Sequence, residues 1–126
     1  MNRSNHNHQT LYTTSGDVGG FLVDSYILNS YGEWIGWVTH ENQVYSVNGK
    51  YIGWLSGDLR ILRKRLHEYS HPSRTPPPPP PSFTPPAQVP LPPMMAEIPV
   101  ATIDVLDESP ELLPTIDTFA FTDDVG

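Results

Sequence analysis

The chain has 126 residues, no cysteine and a formal net charge of −7 at pH 7. Without cysteine, neither disulfides nor thiolate metal sites can stabilise the fold. The charge is distributed unevenly, because residues 1–74 carry +1 whereas residues 75–126 carry −8. An acidic segment of this kind repels phosphate backbones, so we do not expect nucleic acid to be a partner.

The N-terminal residues are polar and contain no apolar run. We therefore expect residues 1–8 to be disordered and to carry no secretory signal. No later stretch reaches the ~18 apolar residues of a membrane-spanning helix, so the expected location is cytoplasmic. His6 and His8 form an H-x-H pair. A metal site needs further converging ligands, so we predict that this pair is a solvated part of the terminus and that no metal binds.

Residues 9–66 contain a repeated sequence unit and form the predicted folded domain. One copy, V-Y-S-V-N-G-K-Y-I-G-W-L, spans residues 44–55 and aligns with residues 27–38 and then residues 11–22, at offsets of 17 and 16 positions. A period of this length suits a hairpin of two strands of about five residues with their turns. The first half of each unit is rich in residues that favour strands. The repeat therefore predicts three consecutive hairpins.

Two glycines recur in each unit, and they support different predictions. The first marks the turn of each hairpin, at Gly16, Gly32 and Gly49. Asn48-Gly49 predicts a type I′ turn, whereas Tyr31-Gly32 better suits a type I turn followed by a bulge. The second glycine precedes an aromatic residue in the pairs Gly20-Phe21, Gly36-Trp37 and Gly53-Trp54. We expect this glycine to mark a bend where neighbouring hairpins approach closely.

Strand alternation predicts which side chains form the core. On a regular strand one face would carry two pairs of apolar residues, Ile35 with Trp37 and Ile52 with Trp54. We predict that this face is the core. The remaining aromatic residues near the turns are expected to be partly exposed and to form a candidate contact surface, made of Tyr31, Trp34 and Tyr51.

Tandem G-x-x-x-G-W units followed by a proline-rich tail resemble the four-fold β-flower family. The resemblance implies an all-β fold, a small, shallow, pseudo-symmetric barrel of short antiparallel hairpins. A fourth unit is incomplete, because no second Gly-Trp pair follows Trp54. The family has no known biochemical function, so the resemblance implies no functional residues.

Residues 59–69, L-R-I-L-R-K-R-L-H-E-Y, fit two predictions. Leu59, Leu62, Leu66 and Tyr69 recur at helical spacing. Residues 59–63 also alternate as a strand would, and we favour a strand because the open hairpin edge needs a partner. A helix here would present a basic face to an anionic surface. Otherwise the charges at positions 63–65 are a solvated edge that discourages aggregation.

Residues 67–126 form a proline-rich, acidic tail that we expect to be largely disordered. Fourteen of the 15 prolines lie between Pro76 and Pro114. Proline excludes helix interiors and central strands, so an extended polyproline II spacer is predicted. Arg74, Pro77 and Pro80 match R-x-x-P-x-x-P, a pattern that aromatic grooves can recognise. The later acidic clusters either stay disordered or dock as short strands or a helix on the basic residues 60–65.

The sequence lacks every familiar catalytic constellation. It has no P-loop, no G-x-S-x-G and no H-E-x-x-H, and His40 with Glu41 are chain neighbours that point to opposite faces of an extended segment. We therefore predict a non-enzymatic protein without cofactor or catalytic residues. The predicted function is protein binding or scaffolding, through the exposed aromatic residues or the proline-rich tail. The alternative is a peripheral membrane module that uses those aromatic residues and the basic edge at 60–65.

Overall fold

The computed structural model describes residues 8–66 and 71–116. These residues form one antiparallel sheet of eight strands, in which every strand pairs with its neighbours in sequence and the sheet curls into a half-barrel. The strands are β1 (His8–Tyr12), β2 (Val18–Val23), β3 (Tyr26–Asn29), β4 (Trp34–Val38), β5 (Gln43–Ser46), β6 (Tyr51–Leu55), β7 (Ile61–Lys64) and β8 (Thr102–Asp104). A one-turn helix, α1 (Val105–Glu108), and a 3₁₀ turn over Pro110–Leu112 follow β8. The all-β prediction is confirmed.

The three predicted hairpins are present, and all three close with the same turn. In the third, the Ser46 N–H donates to the Lys50 carbonyl and the Gly49 N–H donates to the Ser46 carbonyl, both at 2.9 Å. The equivalent pair of bonds closes the turns at Gly16 and Gly32. The predicted type I′ turn at Asn48-Gly49 is wrong, because only the glycine has a positive φ, of +88°. This is the pattern of a type I turn followed by a left-handed bulge residue.

A β-bulge in the second strand of each hairpin changes which side chains share a face. In β4, Gly36 pairs with Ile27 and Trp34 pairs with Leu28, which leaves Ile35 as the extra residue. Ile35 therefore packs into the main hydrophobic cluster, while Trp37 stacks on a tyrosine outside that cluster. The predicted shared face of Ile35 and Trp37 is wrong for this reason. The bulge at Ile52 separates it from Trp54 in the same way, and Trp54 is only half-buried.

One face of the sheet, which we call the core face, carries a fully buried residue from the first strand of each hairpin. Leu11, Ile27, Val44 and Ile61 all have 0% exposure and belong to one cluster. The cluster is completed by Val105 and Leu113, which come from the segment after β8. The expected domain limit at residue 66 is therefore too short, because the packing of this core continues to Leu113.

The acidic tail also supplies the last strand. Leu62 of β7 pairs with Asp104 of β8, so β7 gains a hairpin partner from far along the chain. For residues 102–113 the structure follows the alternative of docking as a short strand and helix rather than disorder. A sheet this small buries too little apolar surface without such additions. β7 confirms the strand favoured for residues 59–63, shifted toward the C-terminus.

The first hairpin shows how the tail complements the repeat. Its bulge residue is Gly19, where the other two hairpins have isoleucine. A β-carbon built on Gly19 would lie 3.0 Å from Cδ1 of Leu106, which itself packs against the core cluster. The side chain missing from the first repeat is therefore replaced by one from α1.

Of the ends predicted to be disordered, residues 1–8 lie almost entirely outside the described residues, whereas most of residues 67–126 lie within them. β1 already begins at His8, the last residue of the expected N-terminal tail. Residues 1–7, 67–70 and 117–126 are outside the described ranges, so the predictions for His6 and for the end of the acidic tail stay predictions.

Candidate functional site

The face opposite the core face carries a continuous row of aromatic side chains, and we call it the aromatic face. The strand register places Tyr26 opposite Trp37, Trp37 opposite Tyr45, and Tyr45 opposite Tyr51. Trp37 and Tyr45 stack with ring centroids 5.3 Å apart, and Tyr45 meets Tyr51 edge-on at 5.6 Å. This row of paired rings crosses four strands of the sheet. On β2 the residue opposite Tyr26 is Val23, and Phe21 lies two positions away on the same face.

Residues 71–90, which we call the strap, lie across this aromatic face. They contain no helix or strand, as expected for a proline-rich segment. His71 stacks on Tyr51, with ring centroids 3.9 Å apart and an interplanar angle of 13°. The predicted spacer is thus an extended segment packed on the domain that precedes it.

Arg74 provides the best-defined contact at this end of the strap. Its guanidinium carbon lies 5.3 Å from the centre of the Tyr45 ring, within the range of a cation–π interaction. Its N–H donates to the carbonyl of Gly49 at 2.9 Å. The side chain of Arg74 therefore contacts the row of aromatic rings, while its backbone contacts the turn of the same β5–β6 hairpin.

Two tyrosine hydroxyls hold the strap through its backbone. The Tyr26 hydroxyl donates to the carbonyl of Pro78 at 2.6 Å, and the Tyr12 hydroxyl donates to the carbonyl of Pro90. A polyproline II segment makes no hydrogen bonds of its own, so its carbonyls are free to accept such bonds. These contacts depend on the backbone conformation rather than on the strap's side chains.

Phe83 anchors the middle of the strap. Its ring lies 5.3 Å from the ring of Phe21 and 5.3 Å from that of His8. Val89 packs against the same small cluster, whose buried members are Phe21, Val23 and Leu28. His8, considered above as half of an H-x-H pair, is here an aromatic neighbour of the strap.

The structure separates the three residues of the predicted contact surface. Tyr31 is 80% exposed. Trp34 is half-buried beside Tyr26, and its indole N–H donates to the Gly36 carbonyl at 2.8 Å. Tyr51 lies under His71. Only Tyr31 is freely exposed, whereas the strap covers the neighbourhood of Tyr51.

The residues that sequence reasoning missed are Tyr45 and Tyr26. Tyr45 is 2% exposed and lies at the centre of the row. The repeat does place Tyr45 in the first strand of the third hairpin. There it pairs across the sheet with Trp37, the aromatic residue that follows the second glycine of the second hairpin. Recognising it required the cross-strand register, which a single strand does not reveal.

The basic residues at 60–65 are engaged in contacts within the chain. Arg60 is 3% exposed and forms a salt bridge to Asp58 at 2.6 Å. Its guanidinium also donates to the Thr14 hydroxyl and to the Ala96 carbonyl. The hydrogen bond from Arg60 holds the pKa of the Asp58 carboxyl below its ordinary value. Arg65 pairs with Glu108 at 2.6 Å.

A cavity of about 460 Å³ lies beside the start of the strap. Its lining combines Lys50, Tyr51, Arg63, His71 and Glu111. Within residues 8–66 and 71–116, no group of three histidine or acidic side chains converges as metal ligands. No helix in the same ranges is long and apolar enough to cross a membrane.

Comparisons with protein families, with curated proteins and with solved structures all found no similarity to report. The aromatic face and its strap are therefore interpreted from their own geometry.

Proposed function

We propose that this chain is a non-enzymatic protein-binding module whose aromatic face binds proline-rich segments. The observation that carries the proposal is the double contact of Arg74, with its guanidinium over Tyr45 and its N–H on the Gly49 carbonyl. Aromatic-lined grooves bind polyproline II segments because these segments are already extended and lose little conformational entropy on binding. The chain's own strap is one such bound segment.

The fold proposed for the module is a four-unit β-flower. Buried residues at equivalent places in β1, β3, β5 and β7 support it, because Leu11, Ile27, Val44 and Ile61 follow one another at 16 or 17 positions. Under this proposal β8 completes the fourth hairpin, which the sequence repeat left unfinished. The β-flower resemblance supplies the architecture and no ligand.

The peripheral-membrane alternative stays a prediction that no contact favours. It needs a free basic edge at 60–65, yet Arg60 is buried against Asp58 and Arg65 is paired with Glu108. The aromatic residues it needs at a lipid surface lie largely beneath the strap. Protein binding uses the same aromatic face, which in this structure holds the chain's own strap.

Amide hydrogen exchange in the full chain tests whether the aromatic face binds a polyproline segment at all. We expect the Arg74 amide to exchange more slowly than in the unfolded chain, because it donates to the Gly49 carbonyl. A Tyr45→Leu variant should lose that protection, since it removes the ring under the guanidinium. The Leu22 amide in β2 serves as the control and should stay protected. Exchange of Arg74 at the unfolded rate in the unaltered chain would overturn the proposal.

A further inference from the structure

On the basis of the proposed function, the geometry points to two features. One is the sequence pattern that the aromatic face recognises, and the other is a segment of the chain itself that competes for this face. The aromatic face recognises an arginine followed by an apolar residue at every third position. The chain's own strap occupies that face. A proline-rich segment that belongs to another protein and has the same pattern binds only to molecules whose strap has moved off the aromatic face.

Burial along the strap repeats every third residue. Half-buried positions recur in a single row, and these are Pro77, Pro80, Phe83, Pro86 and Val89. Between them most residues are exposed, with Pro76 and Pro85 adding partial burial next to the row. A polyproline II helix has three residues per turn, so the row is one edge of the helix. This edge faces the sheet.

Arg74 continues the same row by one further turn toward the N-terminus. It lies three positions before Pro77, so its side chain projects from the same edge and reaches Tyr45. The edge also has a direction, since the arginine end lies on the β5–β6 hairpin and Phe83 lies on Phe21 of β2. A ligand with an arginine at one end therefore binds in one orientation.

The backbone contacts broaden the class of ligands that fit. Tyr26 and Tyr12 donate to carbonyls of Pro78 and Pro90, which any extended segment presents. Tyr26 bonds to a residue whose own side chain is exposed. The sequence requirement is thus confined to the row that begins at Arg74, and the intervening positions are free to vary.

The strap acts as a competitor because it is attached at both ends to the domain it covers. A tethered segment has a high effective concentration at its site, of the order of millimolar for short flexible connections. The strap can leave while the fold stays intact, since its far end is fixed separately. Arg60 holds the Ala96 carbonyl, and Val105 is fully buried in the core. Release of the strap exposes the aromatic face without removing β8.

The test uses the full chain and a fluorescently labelled synthetic peptide of residues 71–90 added in trans. The first variant, which we call the register variant, weakens the strap at three positions of the row that begins at Arg74, with the changes Arg74→Ala, Pro77→Ala and Pro80→Ala. A matched control variant makes the same kinds of change at three exposed positions, Thr75→Ala, Pro79→Ala and Pro81→Ala. Each multiple variant loses two prolines, so both straps lose similar stiffness. Binding is measured by fluorescence anisotropy.

We expect the register variant to bind the peptide at least tenfold more tightly than the unaltered chain or the control variant. Arg74→Glu alone, at an exposed position, is expected to act in the same direction and covers the case in which the triple variant does not fold. Equal and measurable binding by all forms would overturn the competitor role while leaving polyproline binding in place. Tight binding by the control variant as well would overturn the three-residue pattern. No binding by any folded form would overturn both this inference and the proposed function.

Discussion

The backbone of Gly53 lies directly against the carbonyl group of Leu62 on the next hairpin. A β-carbon built on Gly53 would be 1.9 Å from that oxygen, far inside any contact distance. The second glycines of the other units face the same obstacle, since a β-carbon on Gly20 or Gly36 would lie 2.1 Å or 2.5 Å from a carbonyl oxygen. These glycines therefore recur because neighbouring hairpins approach too closely for any side chain.

Gly53→Ala should destabilise the fold, although alanine normally favours ordered backbone more than glycine does. The new methyl group must displace the Leu62 carbonyl, and we expect a loss of order 1–3 kcal/mol in the free energy of unfolding. Chemical denaturation measures it. Gly57→Ala is the control, because a β-carbon there has no neighbour within 4 Å. A loss at Gly53 no larger than that at Gly57 would refute the close-approach explanation.

Leu113→Ala should destabilise the protein as a core substitution does, despite its position in the proline-rich, acidic part of the chain. Leu113 is 3% exposed in the main cluster, so truncation leaves a cavity costing about 2–5 kcal/mol. Leu91→Ala makes the same change at a residue that is 91% exposed, and its effect should stay within ~0.5 kcal/mol. Thermal denaturation of the pair compares them. Equal, small effects would mean that the tail is not part of the core.

Trp37→Ala and Trp54→Ala should differ, although the two residues occupy the same slot in the repeat. Trp37 is 7% exposed and stacks on Tyr45, so its truncation should cost about 3–5 kcal/mol. Trp54 is only half-buried, so its truncation should cost clearly less. Denaturant titration ranks the two variants. Equal losses for the two variants would contradict this ranking and support the sequence-based core, in which both residues are equivalent.

The Asp58–Arg60 pair predicts an acid-sensitive contribution to stability. The hydrogen bond from Arg60 lowers the pKa of Asp58 in the folded chain below its ordinary value of 3.8. A lowered folded-state pKa adds stability above pH 3.8, and this stability is lost as the pH falls further through the folded-state pKa. Asp58→Asn should therefore flatten the loss of stability in that acid range.

At neutral pH the same substitution should cost of order 1–3 kcal/mol, because Arg60 stays buried and loses its charged partner. Urea denaturation at several pH values measures both effects. Asp17→Asn, an exposed acidic residue in the first turn, is the control. If the two variants have the same pH profile, the Arg60 contact does not stabilise the carboxylate.

Local sequence signals predicted the hairpins but not the faces of their strands. Turn glycines such as Gly49 and the strand-forming residues around them are close in sequence, so the three hairpins followed from the local pattern. The pattern around β7 fitted both a helix and a strand, and the need of the open hairpin edge for a partner decided between them. The bulges at Ile35 and Ile52 each insert one residue, and a one-residue shift moves every later side chain to the other face. Nothing in the two-residue alternation signals where that extra residue lies.

The last strand was foreseen only as one of two alternatives, and the position of the strap was not predicted, because the partners of both segments are distant in sequence. β8 is only three residues long, T-I-D, so its own sequence indicates a strand weakly. The stronger indication of a partner strand is the open edge of β7, which lies 38 positions earlier. Arg74 and the prolines after it were recognised as a pattern that aromatic grooves bind. The sequence did not show that such an aromatic surface lies in the same chain. This surface exists because the cross-strand register aligns Tyr26, Trp37, Tyr45 and Tyr51.

The central claim is that the strap lies on the aromatic face in the free protein, and proton NMR of the full chain tests it most directly. The rings of Phe83 and Phe21 are 5.3 Å apart, so their protons should give nuclear Overhauser cross-peaks and ring-current-shifted resonances. We expect these cross-peaks in the unaltered chain. Phe83 resonances at their unfolded positions, with no cross-peak to Phe21 although the sheet is intact, would contradict it.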